Sequence, residues 1–162
     1  SSIHRGVDVA RASGQAHVAG CTGATSERVV QEMFALPDHA MLDMGDFSGG
    51  LLKYLRNHPV PRVTIGGGVG KITKLAQGAV DLHSSRSQVD FEALNVVAAR
   101  LALVDVSGAN TALDAIEIAG RGLAQEIAVI AKSVVESQLK GSDIAIDIVV
   151  VDRAGAVLGH AF

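Results

Sequence analysis

Hydrophobic and polar positions follow a repeated order along the first ninety residues: a short apolar run, a glycine-rich turn, then apolar residues at helical spacing. The predicted strands are His17 to Cys21, His39 to Met44 and Arg62 to Ile65. The helices predicted to follow them are Glu27 to Leu36, Leu51 to Asn57 and Lys71 to Val80. The strand starts lie 22 and 23 residues apart, which leaves room for right-handed crossovers and therefore predicts parallel pairing.

The remaining segments extend this α/β pattern. A first helix is predicted over Ser1 to Ala12. After His83 the pattern becomes helical, with helices predicted at Asp90 to Val104, Asn110 to Ala119 and Leu123 to Lys140. The β-branched run Ile144 to Asp152 and the turn RAG then predict a terminal hairpin. Together the segments predict one α/β domain over residues 1–162: a three-layer, Rossmann-like, open and mainly parallel sheet with helices on both faces and a C-terminal β-hairpin.

Composition narrows the class of protein. The hydrophobic fraction of 48% is enough to form a core without disulfides or a structural metal. The aromatic fraction of 3% favours a core of Val, Ile, Leu and Ala. A lone Cys21 excludes a disulfide framework and, with no leader pattern, indicates a reducing, cytoplasmic setting. No run approaches the roughly 20 apolar residues of a membrane helix. Because the chain starts inside a helical pattern without Met, we expect it to be part of a longer protein.

Charge is unevenly distributed. Residues 1–89 carry nine Lys/Arg and seven Asp/Glu, whereas residues 90–162 carry five and ten. An anionic ligand is therefore expected to meet the first half. Nucleic acid is not expected as a partner because no basic stripe or aromatic platform accompanies this mild positive balance.

Three glycine-containing turns are the strongest functional signal. They are the segments Thr22 to Glu27, Gly45 to Gly50 and Gly66 to Gly70. Each follows a predicted strand and precedes a helix, where bare N–H groups and the helix dipole favour an anion, so we expect the turns to converge on one crevice. Plain turn formation is the alternative. The string GGGVGK has neither P-loop spacing nor a full GxGxxG, which disfavours hydrolysis of a nucleoside triphosphate.

Polar side chains near these turns each have two interpretations. Asp46 could accept hydrogen bonds from a ribose or cap a helix. Lys71 and Lys74 share a helix face and could bind a carboxylate or simply face solvent. The segment with His83, Ser84 and Arg86 could form a base or an anion clamp, or only a surface turn.

The first turn carries a further polar group, Thr22, Thr25, Ser26 and Glu27, for which helix capping is the alternative to ligand binding. The remaining histidines lack the spacing of a metal site, so no metal is expected.

Several strings together resemble a known family. SIHRGVDVARASG, CTGATSE, LDMGDFSGGLLKYL and GGGVGKITKLAQGAVDLHSS are similar to the second half of the CbiD family, the cobalt-precorrin-5B C-1-methyltransferases. The likeness is strong over about residues 2–86 and looser through VVVDRAGAVLG. It implies methyl transfer from S-adenosyl-L-methionine to C-1 of a cobalt-precorrin substrate in the early-cobalt route of cobalamin biosynthesis. It also implies an N-terminal part of the same protein as a partner.

The resemblance and the chemistry of the glycine turns together give the candidate site residues. Cofactor binding is assigned to Thr22, Gly23, Thr25, Ser26, Glu27, Gly45, Asp46, Gly66, Gly67, Gly68 and Gly70. Substrate binding is assigned to Lys71, Lys74, His83, Ser84 and Arg86. The catalytic residues stay unknown, with His83 and Asp46 as weak candidates. Gly68 stands where the family pattern has His, Leu82 where it has Thr, and Asp46 where many relatives have Asn.

A different class of function stays open at this point. The same turns suit a non-catalytic module that binds an anion or a nucleotide within a multidomain protein. The oligomeric state is also open, with a homo-oligomer among the alternatives.

Overall fold

The computed structural model describes residues 2–162, and its centre is a five-stranded sheet. Ser1, which the predicted first helix included, lies outside the described residues. In chain order the elements are α1 Ser2–Ala12, β1 His17–Cys21, α2 Ala24–Phe34, β2 Met41–Leu42, α3 Ser48–Asn57, β3 Arg62–Gly68, α4 Val69–Ala76, α5 Phe91–Arg100, α6 Ala112–Ala119, α7 Arg121–Gln138, β4 Ala145–Val151 and β5 Val157–Ala161. A 3₁₀ turn over Asp38–Ala40 precedes β2.

The strand order is β2-β1-β3-β4-β5, and the first four strands are parallel. β5 runs antiparallel to β4 and closes the predicted C-terminal hairpin. The connection after β1 leads to one side of the sheet and the connection after β3 leads to the other. β1 and β3 are adjacent, so the carboxyl ends of these two strands form the switch point where open α/β sheets bind ligands.

Helices cover the two faces of the sheet unequally. α2 alone packs on one face, where Val29 and Val30 meet Ala19, Cys21 and Val149. The other six helices share a larger core with the opposite face, built around buried side chains such as Leu51, Ile72, Ile127 and Ile148. The mainly parallel α/β architecture with helices on both faces is thus confirmed, with a thin layer and a thick one.

α7 holds the edge strand β5 in place. A Cβ added to Gly159 would lie 2.7 Å from the carbonyl oxygen of Ala124, so glycine lets the helix and the strand approach closely. The side-chain amide of Gln125 accepts from the N–H of His160 at 3.0 Å and donates to its carbonyl at 2.7 Å. Because these main-chain groups would otherwise be open, Gln125 closes the outer edge of the sheet at His160.

Several predicted boundaries were wrong for identifiable reasons. β3 continues through Gly66 and Gly67 to Gly68 because β4 pairs with all three. α4 stops at Ala76 rather than Val80, two residues before Gly78 turns left-handed at φ +93°. α5 stops at Arg100 rather than Val104, because Ala102 adopts φ +58° without any glycine to signal it.

The second unit also differs from its prediction. β2 has only two residues, since the 3₁₀ turn takes up the start of the predicted strand. α3 begins at Ser48 and includes the two glycines that had been taken as turn. None of the helices described over residues 2–162 combines the length and the apolar character needed to cross a membrane.

Candidate functional site

A cavity of about 510 Å³ lies at the switch point between β1 and β3. Its walls come from the β1–α2 turn, the start of α4, the start of α6 and the carboxyl end of β4. The lining residues are Thr22, Gly23, Ala24, Thr25, Ser26, Gly68, Val69, Gly70, Lys71, Lys74, Ser84, Thr111, Ala112, Leu113, Val151, Asp152 and Arg153. We call this space the switch-point cavity.

Three helices begin at the switch-point cavity. Gly23 and Gly68 precede α2 and α4, and neither helix start has a side-chain cap. The first N–H groups of these helices are therefore open to another acceptor, at the end where the dipole favours negative charge. α6 differs because the Thr111 hydroxyl accepts from the N–H of Asp114 at 3.1 Å.

Glycines near the cavity fall into two groups. A Cβ at Gly66 would lie 2.7 Å from Val30, and one at Gly67 would lie 2.7 Å from the Thr22 hydroxyl. Packing accounts for both, and neither lines the cavity. In contrast, a Cβ at Gly23, Gly68 or Gly70 would meet nothing within 4 Å, and none of the three has a positive φ. Neither backbone conformation nor packing explains why these three positions are bare.

Two lysines on α4 line the cavity and share one acceptor. The Leu82 carbonyl accepts from Lys71 Nζ at 3.2 Å and from Lys74 Nζ at 3.0 Å, and Lys71 also pairs with Asp46 Oδ2 at 3.0 Å. Lys74 is only 8% exposed. Its burial and then the charge of Lys71 lower the pKa of Lys74, against the opposing effect of Asp46 and Asp81. The alternative of a solvated face therefore does not hold for Lys74, which stands as a buried cation beside the cavity.

The switch-point cavity suits an anionic or dipolar small molecule. It offers open N–H groups, hydroxyls and two ammonium groups within one concave site. Among residues 2–162 there is no group of His, Cys, Asp or Glu that could hold a metal ion.

A family model, that of the CbiD C-terminal domain, matches residues 81–162, which is half of the chain. The chain belongs to the CbiD family.

The relatives of this CbiD chain include cobalt-precorrin-5B C(1)-methyltransferases of Brucella anthropi, Paramagnetospirillum magneticum and Brucella ovis, each 52% identical to it. The alignments cover 98%, 99% and 98% of this chain but 45%, 46% and 45% of the relatives. The CbiD chain thus spans less than half the length of these proteins. No solved structure matches it significantly.

The CbiD chain places the polar residues of its first turn in different surroundings. Thr22 and Thr25 line the switch-point cavity. Ser26 is buried and donates to the Gly23 carbonyl at 3.1 Å, so its hydroxyl is already bonded. Glu27 lies on the exposed side of α2, outside the cavity lining.

The second turn of the CbiD chain does not line the switch-point cavity, so the expectation that all three turns converge on one crevice holds for only two of them. Gly45 adopts φ +58°, which glycine tolerates best, and Asp46 reaches the cavity only through its ion pair with Lys71. The Asp46 Oδ1 atom is buried and has no hydrogen-bond partner within residues 2–162.

The segment after α4 borders the cavity at one residue. Ser84 lines it, whereas His83 and Arg86 are exposed and do not. The imidazole Nδ1 of His83 lies 2.8 Å from the Ser85 hydroxyl and accepts from the Ser85 N–H at 3.1 Å, a pattern typical of a surface turn.

Sequence reasoning missed one wall of the site. Thr111, Ala112 and Leu113 come from α6, and Asp152 and Arg153 follow β4. These residues lie about 85 to 130 positions beyond the first turn in the sequence, so local patterns did not connect them. The β-branched run Ile144 to Asp152 was predicted only as a strand of the terminal hairpin, and its parallel pairing with β3 is what brings its carboxyl end to the same rim.

A separate polar cluster lies near the start of the strands, on the face that α2 covers. Asp147 binds Arg62 through both carboxylate oxygens at 2.8 and 2.9 Å and accepts from the Thr64 hydroxyl at 2.8 Å. Since that hydroxyl has one proton, the Nε2–H of His17 donates to it at 2.7 Å. Burial and then the charge of Arg62 lower the pKa of His17, against the opposing charge of Asp147.

Cys21 lies beside the cavity wall at the end of β1. It is 6% exposed, and burial raises the pKa of its thiol to about 12. A thiol with such a pKa carries almost no thiolate at neutral pH. Cys21 is therefore a packing residue and not a nucleophile.

Proposed function

We propose that this chain forms the donor-binding part of a CbiD enzyme that transfers a methyl group from S-adenosyl-L-methionine to C-1 of cobalt-precorrin-5B in the early-cobalt route of cobalamin biosynthesis. The observation that carries the proposal is the set of Gly23, Gly68 and Gly70 around the switch-point cavity, in a chain 52% identical to proteins of that name. Their missing side chains leave the backbone accessible to a ligand.

The residues of the cavity fit the donor's functional groups. Open N–H groups at the starts of α2 and α4 would bind its carboxylate or ribose oxygens, and the hydroxyls of Thr22 and Thr25 add further donors and acceptors. When bound, S-adenosylmethionine supplies an activated methyl group on a sulfonium. The chain would hold the reactants in line and exclude water, and such a displacement needs little acid or base help.

The test is calorimetric binding of S-adenosylhomocysteine to the full-length protein. We expect Gly68→Val and Gly70→Val to weaken binding by at least roughly tenfold, or about 1.4 kcal/mol, because the new side chains enter the cavity. Gly108→Val is the matched control, since Gly108 also has open space and a permitted backbone conformation but lines no described cavity. Circular dichroism would verify that all three variants fold. The absence of S-adenosylhomocysteine binding by folded wild-type protein would refute the donor assignment.

A second candidate is a non-catalytic module that binds a simple anion. The uncapped helix starts beside Lys71 and Lys74 favour it, because they would suit a phosphate equally well. Calorimetry with inorganic phosphate and with adenosine separates the two. Phosphate binding that Gly70→Val abolishes, together with no binding of S-adenosylhomocysteine, would support the module instead.

A further inference from the structure

A second cavity of about 410 Å³ continues from the switch-point cavity along the end of β4. Leu113, Asp152 and Arg153 line both spaces. The second cavity is bounded by α6, the start of α7 and the turn between β4 and β5. We call it the α6–α7 compartment. Any molecule bound in it would lie directly beside one bound at the switch point.

The walls of the α6–α7 compartment combine apolar surface with two arginines. Ile116 is buried behind it, and Leu113 and Leu158 are partly exposed along its sides. Arg121 and Arg153 are exposed, and neither has an ion pair or hydrogen bond through its guanidinium within residues 2–162. The compartment therefore presents an apolar wall next to two cations that form no ion pair among the described residues.

Among residues 2–162, the acidic residues of the compartment form no ion pair with these cations. Asp152 Oδ1 accepts from the N–H groups of Ala154 and Ala156 at 3.0 and 2.8 Å, so this oxygen shapes the turn. Glu117 is exposed on α6 and forms no ion pair among the described residues.

The position of Arg121 is unfavourable for the stability of α7. It is the first residue of that 18-residue helix, where the dipole disfavours a cation, and the first turn contains no acidic residue to offset it. A helix start of this kind usually carries Asp or Glu. An anion bound beside this helix start would offset the unfavourable interaction between Arg121 and the helix dipole.

We propose that the α6–α7 compartment binds the methyl acceptor, with Arg121 and Arg153 holding carboxylates on the rim of its macrocycle. The inference rests on the proposed function, since methyl transfer needs donor and acceptor in adjoining sites. A cobalt-precorrin offers a broad apolar ring surface edged with carboxylates. The apolar wall matches the ring, and guanidinium groups bind carboxylates in a bidentate manner.

The test uses the full-length protein and cobyrinic acid, a stable cobalt corrinoid with carboxylate side chains, titrated by absorbance. Arg121→Met and Arg153→Met are each expected to weaken its binding about five- to tenfold, the effect of losing one charge-assisted contact. Arg153→Lys should fall between Arg153→Met and the wild type. Lys140→Met is the matched control, because Lys140 is an exposed cation beyond the far end of α7. A corrinoid whose carboxylates are esterified should bind equally weakly to the wild type and to both arginine variants.

Binding of S-adenosylhomocysteine to the same variants distinguishes this inference from the proposed function. We expect its Kd to change less than about twofold in Arg121→Met, because Arg121 lines the α6–α7 compartment and not the switch-point cavity. The inference is overturned if S-adenosylhomocysteine binds while cobyrinic acid does not, or if the arginine variants bind cobyrinic acid as well as Lys140→Met does. It is also overturned if Arg121→Met loses both ligands equally, since the compartment would then belong to the donor. If neither ligand binds the folded wild type, the proposed function itself fails.

Discussion

At the scale of single residues, His17 makes the stability of the folded state depend on pH. Its imidazole donates to Thr64 within a cluster that contains Arg62 and Asp147, and its pKa is lowered from the ordinary value of 6.5. Lowering means that the folded state resists protonation more than the unfolded state does. The contribution of His17 to stability is thus fully present above pH 6.5 and is lost as the pH falls through the folded pKa.

A non-titrating variant tests this directly. Urea unfolding of the wild type and of His17→Gln should show a wild-type free energy of unfolding that declines more steeply between about pH 7 and pH 5. Glutamine retains an N–H donor, so the comparison isolates the protonation of His17 from the loss of the bond. Parallel curves for the two proteins would mean that His17 titrates alike in the folded and unfolded states.

Glycines show at the same scale what a sequence can and cannot reveal. The string from Gly66 to Gly70 looked like one turn, yet Gly66 and Gly67 lie in the sheet and are small because Val30 and Thr22 leave no room. Gly68 and Gly70 are small although room exists. All four residues are glycines, so their identity does not distinguish the two pairs. Only residues that are distant in sequence and close in the fold show which glycines are packed and which are open.

At the scale of elements, the edge of the sheet depends on one side chain of α7. Gln125 makes both of its bonds to the main chain of His160, in place of a further strand. We expect Gln125→Ala to lower the free energy of unfolding by about 1–3 kcal/mol, the sum of two modest hydrogen bonds. The variant should also self-associate as protein concentration rises, because an open edge invites strand pairing.

Equilibrium unfolding and sedimentation measure these two effects. Gln138→Ala, at the last residue of the same helix, removes a side chain that makes no hydrogen bond to another described residue and is the control. If Gln125→Ala keeps the oligomeric state of the wild type at high concentration, then other features of β5, such as its short length of five residues, suffice to protect the edge.

The order of elements could be predicted from the sequence because a local pattern marks each βα unit: an apolar run, a glycine-rich turn and apolar residues at helical spacing. The strand starts at His17 and Arg62 and the hairpin after Asp152 are confirmed. The left-handed Ala102 and the two-residue β2 escaped prediction, since propensity disfavours the first and tertiary packing decides the second. Two of the three turns converge on the cavity as expected, and the α6 wall of the site came only from tertiary structure.

At the scale of the whole molecule, one end of the sheet holds a polar cluster that stabilises the fold and the other end holds the candidate binding site. Thr64, Arg62 and Asp147 interact toward the amino ends of the strands, whereas the switch-point cavity lies at the carboxyl ends. Perturbations at sites without shared partners are usually additive. Stability and ligand binding should therefore be separable by mutation.

Thr64→Val tests that separation in the full-length protein. The change removes a fully buried hydroxyl that bonds both His17 and Asp147, so we expect a loss of about 1–3 kcal/mol and a thermal midpoint lower by several degrees. Affinity for S-adenosylhomocysteine should stay within about twofold, because the strands still deliver Gly23 and Gly68 to the same rim. Gly70→Val should give the reverse, with normal unfolding and impaired binding. A folded Thr64→Val protein that bound the ligand tenfold more weakly would show that the polar cluster sets the geometry of the cavity through β1 and β3, and the two ends of the sheet would then have to be treated as one coupled unit.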